Sequence, residues 1–134
     1  MQILHISAAD TLPVRQMALW PDHPMSASQV DGDDDALHFG GFVADQLICV
    51  ASLFPEGDSI RLRKFATHPE FQGQGAGSLM VRHLLAEATA RGHTLFWFDA
   101  RETALPFYVR FGFETKGARF FKRDLPYVRM VKRL

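Results

Sequence analysis

A mixed α/β fold built on one sheet is what this chain predicts, and three features carry that expectation. Gly77, Met80, Val81, Leu84, Leu85 and Ala88 recur at spacings of three and four, the period of one buried helix face. Upstream, residues 37–43 and 47–54 are apolar runs joined by Ala44-Asp45-Gln46, which reads as an antiparallel hairpin. Residues 94–98 are short, aromatic and uninterrupted, as expected of a buried strand.

The remaining elements fall in order around these. Residues 2–7 alternate as a short strand, and Asp10 caps a helix running toward Trp20. Pro21, Pro24 and an Asp-, Gly- and Ser-rich stretch to Asp35 form a long connection without a firm period. After the hairpin, Pro55-Glu56-Gly57-Asp58 turns the chain into a sheet strand over 59–67. The periodic helix ends at Arg91-Gly92, where glycine accepts the left-handed cap. A helix over 102–111 closes at Gly112, and residues 113–134 supply two last strands. The order is β-α-β-β-β-α-β-α-β-β.

Between the strand over 59–67 and the periodic helix lies Phe71-Gln72-Gly73-Gln74-Gly75-Ala76-Gly77-Ser78, with glycine at every second position. Glycine removes the Cβ that would hold a ligand away from the backbone. The first N–H groups of the helix lack intrahelical partners, so phosphate oxygens can accept from them. A Walker loop would end in Gly-Lys-Ser/Thr, and here the glycine is followed by Ser78. A dinucleotide fingerprint would place its third glycine three positions after the second, where Ser78 stands. Neither of those nucleotide loops fits.

The pattern Gln72-x-x-Gly75-x-Gly77 is followed by Ala104-Leu105-Pro106-Phe107-Tyr108-Val109-Arg110-Phe111-Gly112-Phe113. Together they resemble the GNAT superfamily, the acetyl-coenzyme A-dependent N-acetyltransferases, whose loop reads Arg/Gln-x-x-Gly-x-Gly/Ala and whose later element reads Ala-x-x-x-Tyr-x-x-x-Gly-Phe. The resemblance covers residues 37–113 and implies the GNAT acyltransferase fold: a mixed, mostly antiparallel sheet whose central parallel strands, 59–67 and 94–98, splay apart, flanked by helices. It implies that backbone groups of Phe65, Ala66 and Thr67 pair with the pantetheine arm of acetyl-coenzyme A. The pyrophosphate would rest on N–H groups of Gln72, Gly73, Gln74, Gly75, Ala76, Gly77 and Ser78. Basic residues are frequent in the family where this chain has Gln72 and Gln74, so affinity would depend more on backbone than on side-chain charge.

By the same resemblance Tyr108 protonates the departing thiolate, while a backbone N–H on the splayed strand polarises the thioester carbonyl. The alternative for Tyr108 is packing beside Phe107 and Phe111. An attacking amine must be neutral, and a typical alkylamine has a pKa of about 10.4, so its proton needs an acceptor. Many relatives offer a glutamate on the splayed strand, but Ile60-Arg61-Leu62-Arg63-Lys64-Phe65 has none. His38, Asp99, Glu102 or an ordered water are the candidates, with a packed, satisfied ring as the other reading of His38. Arg101 stands where the family commonly carries an asparagine. With Arg63 and Arg15 it would favour an acceptor bearing a carboxylate or phosphate. Internal salt bridges from Arg63 and Arg101 to Asp99 or Glu102 are the alternative.

Composition bounds these readings. The chain has 134 residues, 47% of them hydrophobic, without repeats, which fits a single acetyltransferase domain over 1–134. No leader-like start or membrane-length apolar run is visible, so a cytoplasmic protein without membrane contact is expected. The single Cys49, among apolar neighbours, reads as a packed thiol. The six histidines lack zinc-type pairing, so no metal is expected. Net charge is zero, yet residues 1–58 carry nine acidic side chains against Arg15 alone, and residues 59–134 carry fourteen basic against six acidic. The acidic half argues for a cationic acceptor such as a polyamine, against the arginines. No basic patch interleaved with aromatics points to nucleic acid. The expected activity is acetyl transfer from acetyl-coenzyme A to a small primary amine by direct transfer in a ternary complex. A protein amine as acceptor and an acyl-coenzyme A sensor without turnover are the alternatives; a homodimer is compatible with the sequence.

Overall fold

In the computed structural model, which describes residues 1–134, the first helix is set by its cap. Ser7 Oγ accepts the Asp10 N–H at 3.1 Å and the Asp10 carboxylate accepts the Ser7 N–H at 3.2 Å, a reciprocal capping box. Ser7, not Asp10, is therefore the cap residue; Asp10 sits in the first turn. Strand β1 (Gln2–Ile6) leads into helix α1 (Ala8–Leu19), and two short 3-10 turns, Met25–Ser28 and Asp33–Asp35, occupy the long connection. Then come β2 (Leu37–Val43), β3 (Gln46–Glu56), β4 (Ser59–Thr67), α2 (Ala76–Ala90), β5 (Leu95–Arg101), α3 (Leu105–Val109), β6 (Glu114–Lys122) and β7 (Leu125–Arg133). The helix expected over 102–111 is shorter: a 3-10 turn at Glu102–Ala104 precedes the α-helical turn containing Pro106. Proline at the helix start lacks only an N–H that would have been unpaired there.

The seven strands form one mixed sheet in the order β1-β2-β3-β4-β5-β7-β6. Its hairpins turn where the backbone goes left-handed: φ is 48° and 69° at Ala44 and Asp45, and 50° and 65° at Arg123 and Asp124. Two consecutive positive φ values match the right-handed twist of the flanking strands. The β4–β5 ladder is parallel and runs only from Ser59↔Leu95 to Arg61↔Trp97, while β5 pairs with β7 along its whole length. Three residues beyond that ladder, Lys64 has φ 54° inside a strand.

Two compact units divide the chain, Met1–Phe54 with Leu62–Leu84, and Pro55–Arg61 with Leu85–Leu134. In the first, Val14, Val50 and Ala66 are buried together, with Ile6, Ala18 and Leu47 against them. The Phe39 ring lies 4.6 Å from His5 and 5.4 Å from His83. In the second, β5 sends Phe96, Phe98 and Ala100 into the core. Phe113 meets Phe96 at 5.5 Å and Phe98 at 4.9 Å, tilted and edge-on, the arrangements aromatic quadrupoles favour. No helix is long and apolar enough to cross a membrane.

The left-handed conformation at Lys64 costs an L-residue about 1–2 kcal/mol. Glycine would remove that cost and weaken the strand by about 0.5–1 kcal/mol, so Lys64→Gly is expected to unfold in urea close to the parent midpoint. Lys64→Val is expected to be less stable than Lys64→Gly by at least 1 kcal/mol, since a β-branched residue tolerates φ > 0 worst. Equal midpoints would mean that the strand relaxes out of this conformation without penalty.

Candidate functional site

The glycine loop is tied down on one side and bare on the other. Its approach is fixed by the His68 N–H donating to the Ile48 carbonyl at 2.7 Å, and by the 3-10 turn Pro69–Phe71, where His68 Nδ1 accepts from the Glu70 N–H at 3.1 Å. Gln72 Nε2 donates to the Thr67 carbonyl at 3.0 Å and Gln74 Nε2 to the Glu70 carbonyl at 3.3 Å, so both amide side chains brace the loop. The backbone group expected to be open at Thr67 thus already has one partner on its oxygen. Gly73 and Gly75 have φ 75° and 89°, and nothing lies within 4 Å of where a Cβ would stand on either. Helix α2 follows at once, Leu79 N–H donating to the Gly75 carbonyl at 3.2 Å. Left-handed glycines facing open space, next to first-turn N–H groups without intrahelical acceptors, fit a pyrophosphate. Phe65, Ala66, Thr67 and the loop all belong to the first unit, and Ala66 is buried, so it can offer a ligand only its backbone.

His38 and Arg15 have structural work in the same unit. Arg15 is fully buried: Nη1 and Nη2 hold the Asp33 carboxylate at 2.8 and 3.0 Å, Nη1 also donates to the Ser28 carbonyl at 3.1 Å, and Nη2 to Ser52 Oγ at 2.9 Å. His38 Nε2 lies 2.7 Å from the Asp33 carbonyl and can only donate to it, and in the neutral ring Nδ1, 2.6 Å from Ser52 Oγ, then accepts the serine proton. Both ring nitrogens are thus committed, and His38 has no lone pair for an amine. Burial would raise the Asp33 pKa, but hydrogen bonds from Arg15 and Val30 and the Arg15 charge outweigh it and hold the carboxyl below its ordinary range. Arg15 occupies a core position of α1, with Thr11 and Val14 beside it in the buried set. The sequence of α1 has almost no apolar period, with Met17 and Leu19 exposed, so no sequence signal marks Arg15 as buried.

In the second unit Tyr108 packs at 4.4 Å from Phe98 and 5.0 Å from Phe107. Burial among these rings pushes its phenol above the ordinary range, so it stays protonated throughout the physiological range. The other candidate bases are spoken for. Asp99 accepts from Arg129 Nε at 2.9 Å and Arg61 Nη2 at 3.3 Å, with Lys122 Nζ at 3.7 Å. Burial raises its pKa, yet these three cations bring it below the usual carboxylate value. Glu102 is held bidentately by Arg119 at 2.6 and 2.8 Å. The cations on Asp99 and Glu102 are therefore Arg61, Arg129, Lys122 and Arg119, not Arg63 and Arg101. Arg63 lies 5.7 Å over the Phe54 ring, and Arg101 is exposed. Burial pushes the Cys49 thiol up to about 11, the state of a packed thiol, and no three His, Cys, Asp or Glu side chains gather as a metal site.

Because the Asp33 pKa is lower in the folded than in the unfolded chain, its contribution is full above the unfolded value and is lost as pH falls through the folded one. Asp33→Asn, which leaves Arg15 buried without a counter-charge, is expected to cost about 3–5 kcal/mol at neutral pH. Urea unfolding at neutral and acid pH should show this penalty shrinking below the carboxylate range. A pH-independent difference would assign the loss to packing.

A family model described as the acetyltransferase (GNAT) domain matches residues 18–134. The uncharacterized N-acetyltransferase YitI of Bacillus subtilis is 27% identical over 135 residues, with 94% of this chain and 89% of that protein covered. Among solved structures, the ribosomal-protein-S18-alanine N-acetyltransferase of Escherichia coli superposes with a TM-score of 0.80 at 21% identity, over 98% of this chain and 92% of that one. A GNAT family acetyltransferase of Elizabethkingia anophelis, with acetyl-CoA bound, gives 0.78 at 13% identity over 99% and 97%. The two structures bear on the fold alone. The family model spans most of the sequence, glycine loop and Tyr108 included, and so the chain belongs to the GNAT acetyltransferase family.

Proposed function

We propose that this chain acts as one domain, transferring acetyl from acetyl-coenzyme A to a primary amine of a small molecule by direct transfer in a ternary complex. The observation that carries the reading is the loop: two left-handed glycines facing open space, braced by Gln72 and Gln74, at the start of a 15-residue helix. Bound acetyl-coenzyme A supplies an activated thioester. The N–H groups from Gln72 to Ser78 donate to its pyrophosphate oxygens, each favourable charge contact with the helix start contributing about 0.3–1 kcal/mol. Backbone groups of Phe65, Ala66 and Thr67 take the amide-bearing arm in the manner of an added strand.

Tyr108 Oη holds the proton for the departing sulfur. Its raised pKa keeps that proton on Oη, where it can hydrogen-bond to the sulfur as negative charge develops there. With both nitrogens of His38 committed, and Asp99 and Glu102 ion-paired, an ordered water is the route by which the amine loses its proton. Retention of Tyr108 favours turnover over an acyl-coenzyme A sensor, because binding alone needs no thiolate acid.

Acetyl-coenzyme A at a hundredfold excess over its dissociation constant is expected to stabilise the protein by about 2.7 kcal/mol, seen as a rise in melting temperature. Gly75→Val should abolish that shift, since the φ of 89° excludes a β-branched residue and its side chain would enter the space facing the loop. A variant still stabilised by the donor would remove the loop from the site.

Tyr108→Phe keeps the ring against Phe98 and Phe107 and removes one hydroxyl. Its kcat is expected to fall by about 10²- to 10⁴-fold, with donor affinity within a few-fold of the parent. The comparison is made at saturating acceptor, so that KM changes do not enter. Near-parental kcat would make Tyr108 structural.

A further inference from the structure

Alternation along β5 puts Phe96, Phe98 and Ala100 into the core and Trp97 on the opposite face of the sheet. There Leu95, Trp97, Ala118, Phe120 and Val131 form the apolar floor of an open groove of ≈ 440 Å³. Two cations, Lys116 and Arg129, complete its lining. The pairing that assembles it is fixed by register, Trp97 opposite Val131, Asp99 opposite Arg129 and Lys116 opposite Arg129. Its size lies in the range of about 300–1,000 Å³ typical of small-molecule sites, and an apolar lining with a few convergent polar groups is their usual chemistry.

The charge in this groove is organised rather than diffuse. Arg129 stacks 4.2 Å from the Trp97 ring centroid, Arg61 stacks on the same indole at 4.5 Å, and both donate to Asp99. Asp99 is one negative charge among three cations, counting Lys122, and the Glu56 carboxylate also acts on Arg129, so the cluster keeps one net positive charge before Lys116 is added. Asp99 engages Nε and Nη2 of Arg129 and thereby sets the plane of the guanidinium, leaving Nη1 on the edge not used by Asp99. A guanidinium already fixed by a carboxylate and an aromatic ring loses little freedom when an anion binds. A polyamine would meet like charges here.

We propose that this groove is a binding site for an apolar carboxylate, with the ring or chain lying on Phe120 and Val131 beside Trp97 and the carboxylate on Arg129 and Lys116. The groove lies on the face of β5 opposite Phe98, against which Tyr108 packs, so the proposal stands apart from the proposed acetyl transfer. Carboxylates are then favoured over cationic amines at this groove.

The test uses three probes of one size: L-phenylalanine, 3-phenylpropanoate, which lacks the amine, and 2-phenylethylamine, which lacks the carboxylate. In a Trp20→Phe background Trp97 is the only tryptophan, and its fluorescence reads occupancy of the groove directly. Both carboxylates are expected to titrate it saturably, and 2-phenylethylamine to bind at least about tenfold more weakly, the effect of one charge-assisted contact. Lys116→Gln, at an exposed strand position, and Arg129→Gln should each weaken both carboxylates by about tenfold or more. The acetyl-coenzyme A melting shift, recorded on the same samples, reports separately on the proposed acetyl transfer and should be unchanged in both variants. Equal or tighter binding of 2-phenylethylamine, no saturable response to either carboxylate, or unchanged carboxylate affinity in both variants would overturn the site.

Discussion

A strand that stops pairing leaves backbone N–H and C=O groups that must find partners elsewhere. β4 is nine residues long, and its parallel ladder with β5 covers three of them. Much of the first unit can be understood from that constraint. The Thr67 carbonyl is taken by the Gln72 side chain, so the strand end and the glycine loop are held as one piece. Lys64 adopts a left-handed turn within the strand, which re-aims the peptide groups that follow it. Family members that carry a cation at the first loop position would put charge beside a bound phosphate. Here the same position carries an amide that braces the loop.

Buried and half-buried charge is resolved differently in the two units. In the first, one arginine and one carboxylate are matched bidentately, further Nη donors go to the Ser28 carbonyl and Ser52, and Arg15 Nε stays buried without a partner. An ion pair so deeply buried adds little net stability over an apolar pair, but breaking it is costly, so it acts as a clasp on the Asp33 turn. In the second, one carboxylate organises an excess of cations around an indole. The second leaves positive charge beside a groove.

The strand and helix order was legible in the sequence because its period is strong: α2 shows every third and fourth residue buried, and the paired apolar runs have a short connection between them. Element edges were less legible, since hydrogen bonding decides them. Asp10 looked like a cap because its type fits, yet Ser7 three residues earlier offers the reciprocal bond. The glycine loop was legible from composition, whereas Lys64 was not, as no local rule places a lysine at positive φ. Arginine roles were the least legible. Sequence adjacency pointed Arg63 and Arg101 at Asp99 and Glu102, but the partners come from strands forty or fewer residues away and are chosen by register.

The division of net charge between the halves of the sequence therefore says less about the acceptor than it first suggests. On the acidic side, Asp33 is consumed by Arg15, while Asp31, Asp34 and Asp35 are exposed around a turn where water screens them. On the basic side, Arg119 is matched by Glu102 and Arg91 by Glu87. The cations left beside an apolar surface are few, Lys116, Lys122 and Arg129 among them, and they sit where strand register has placed an indole and a phenyl ring on the same face. Positive charge over an aromatic floor is worth more to a ligand than the same charge on an open loop, because the floor excludes water from one side of the contact. The organised part of the basic half is accordingly the small group of side-chain cations that strand register holds over this apolar floor, not its net charge.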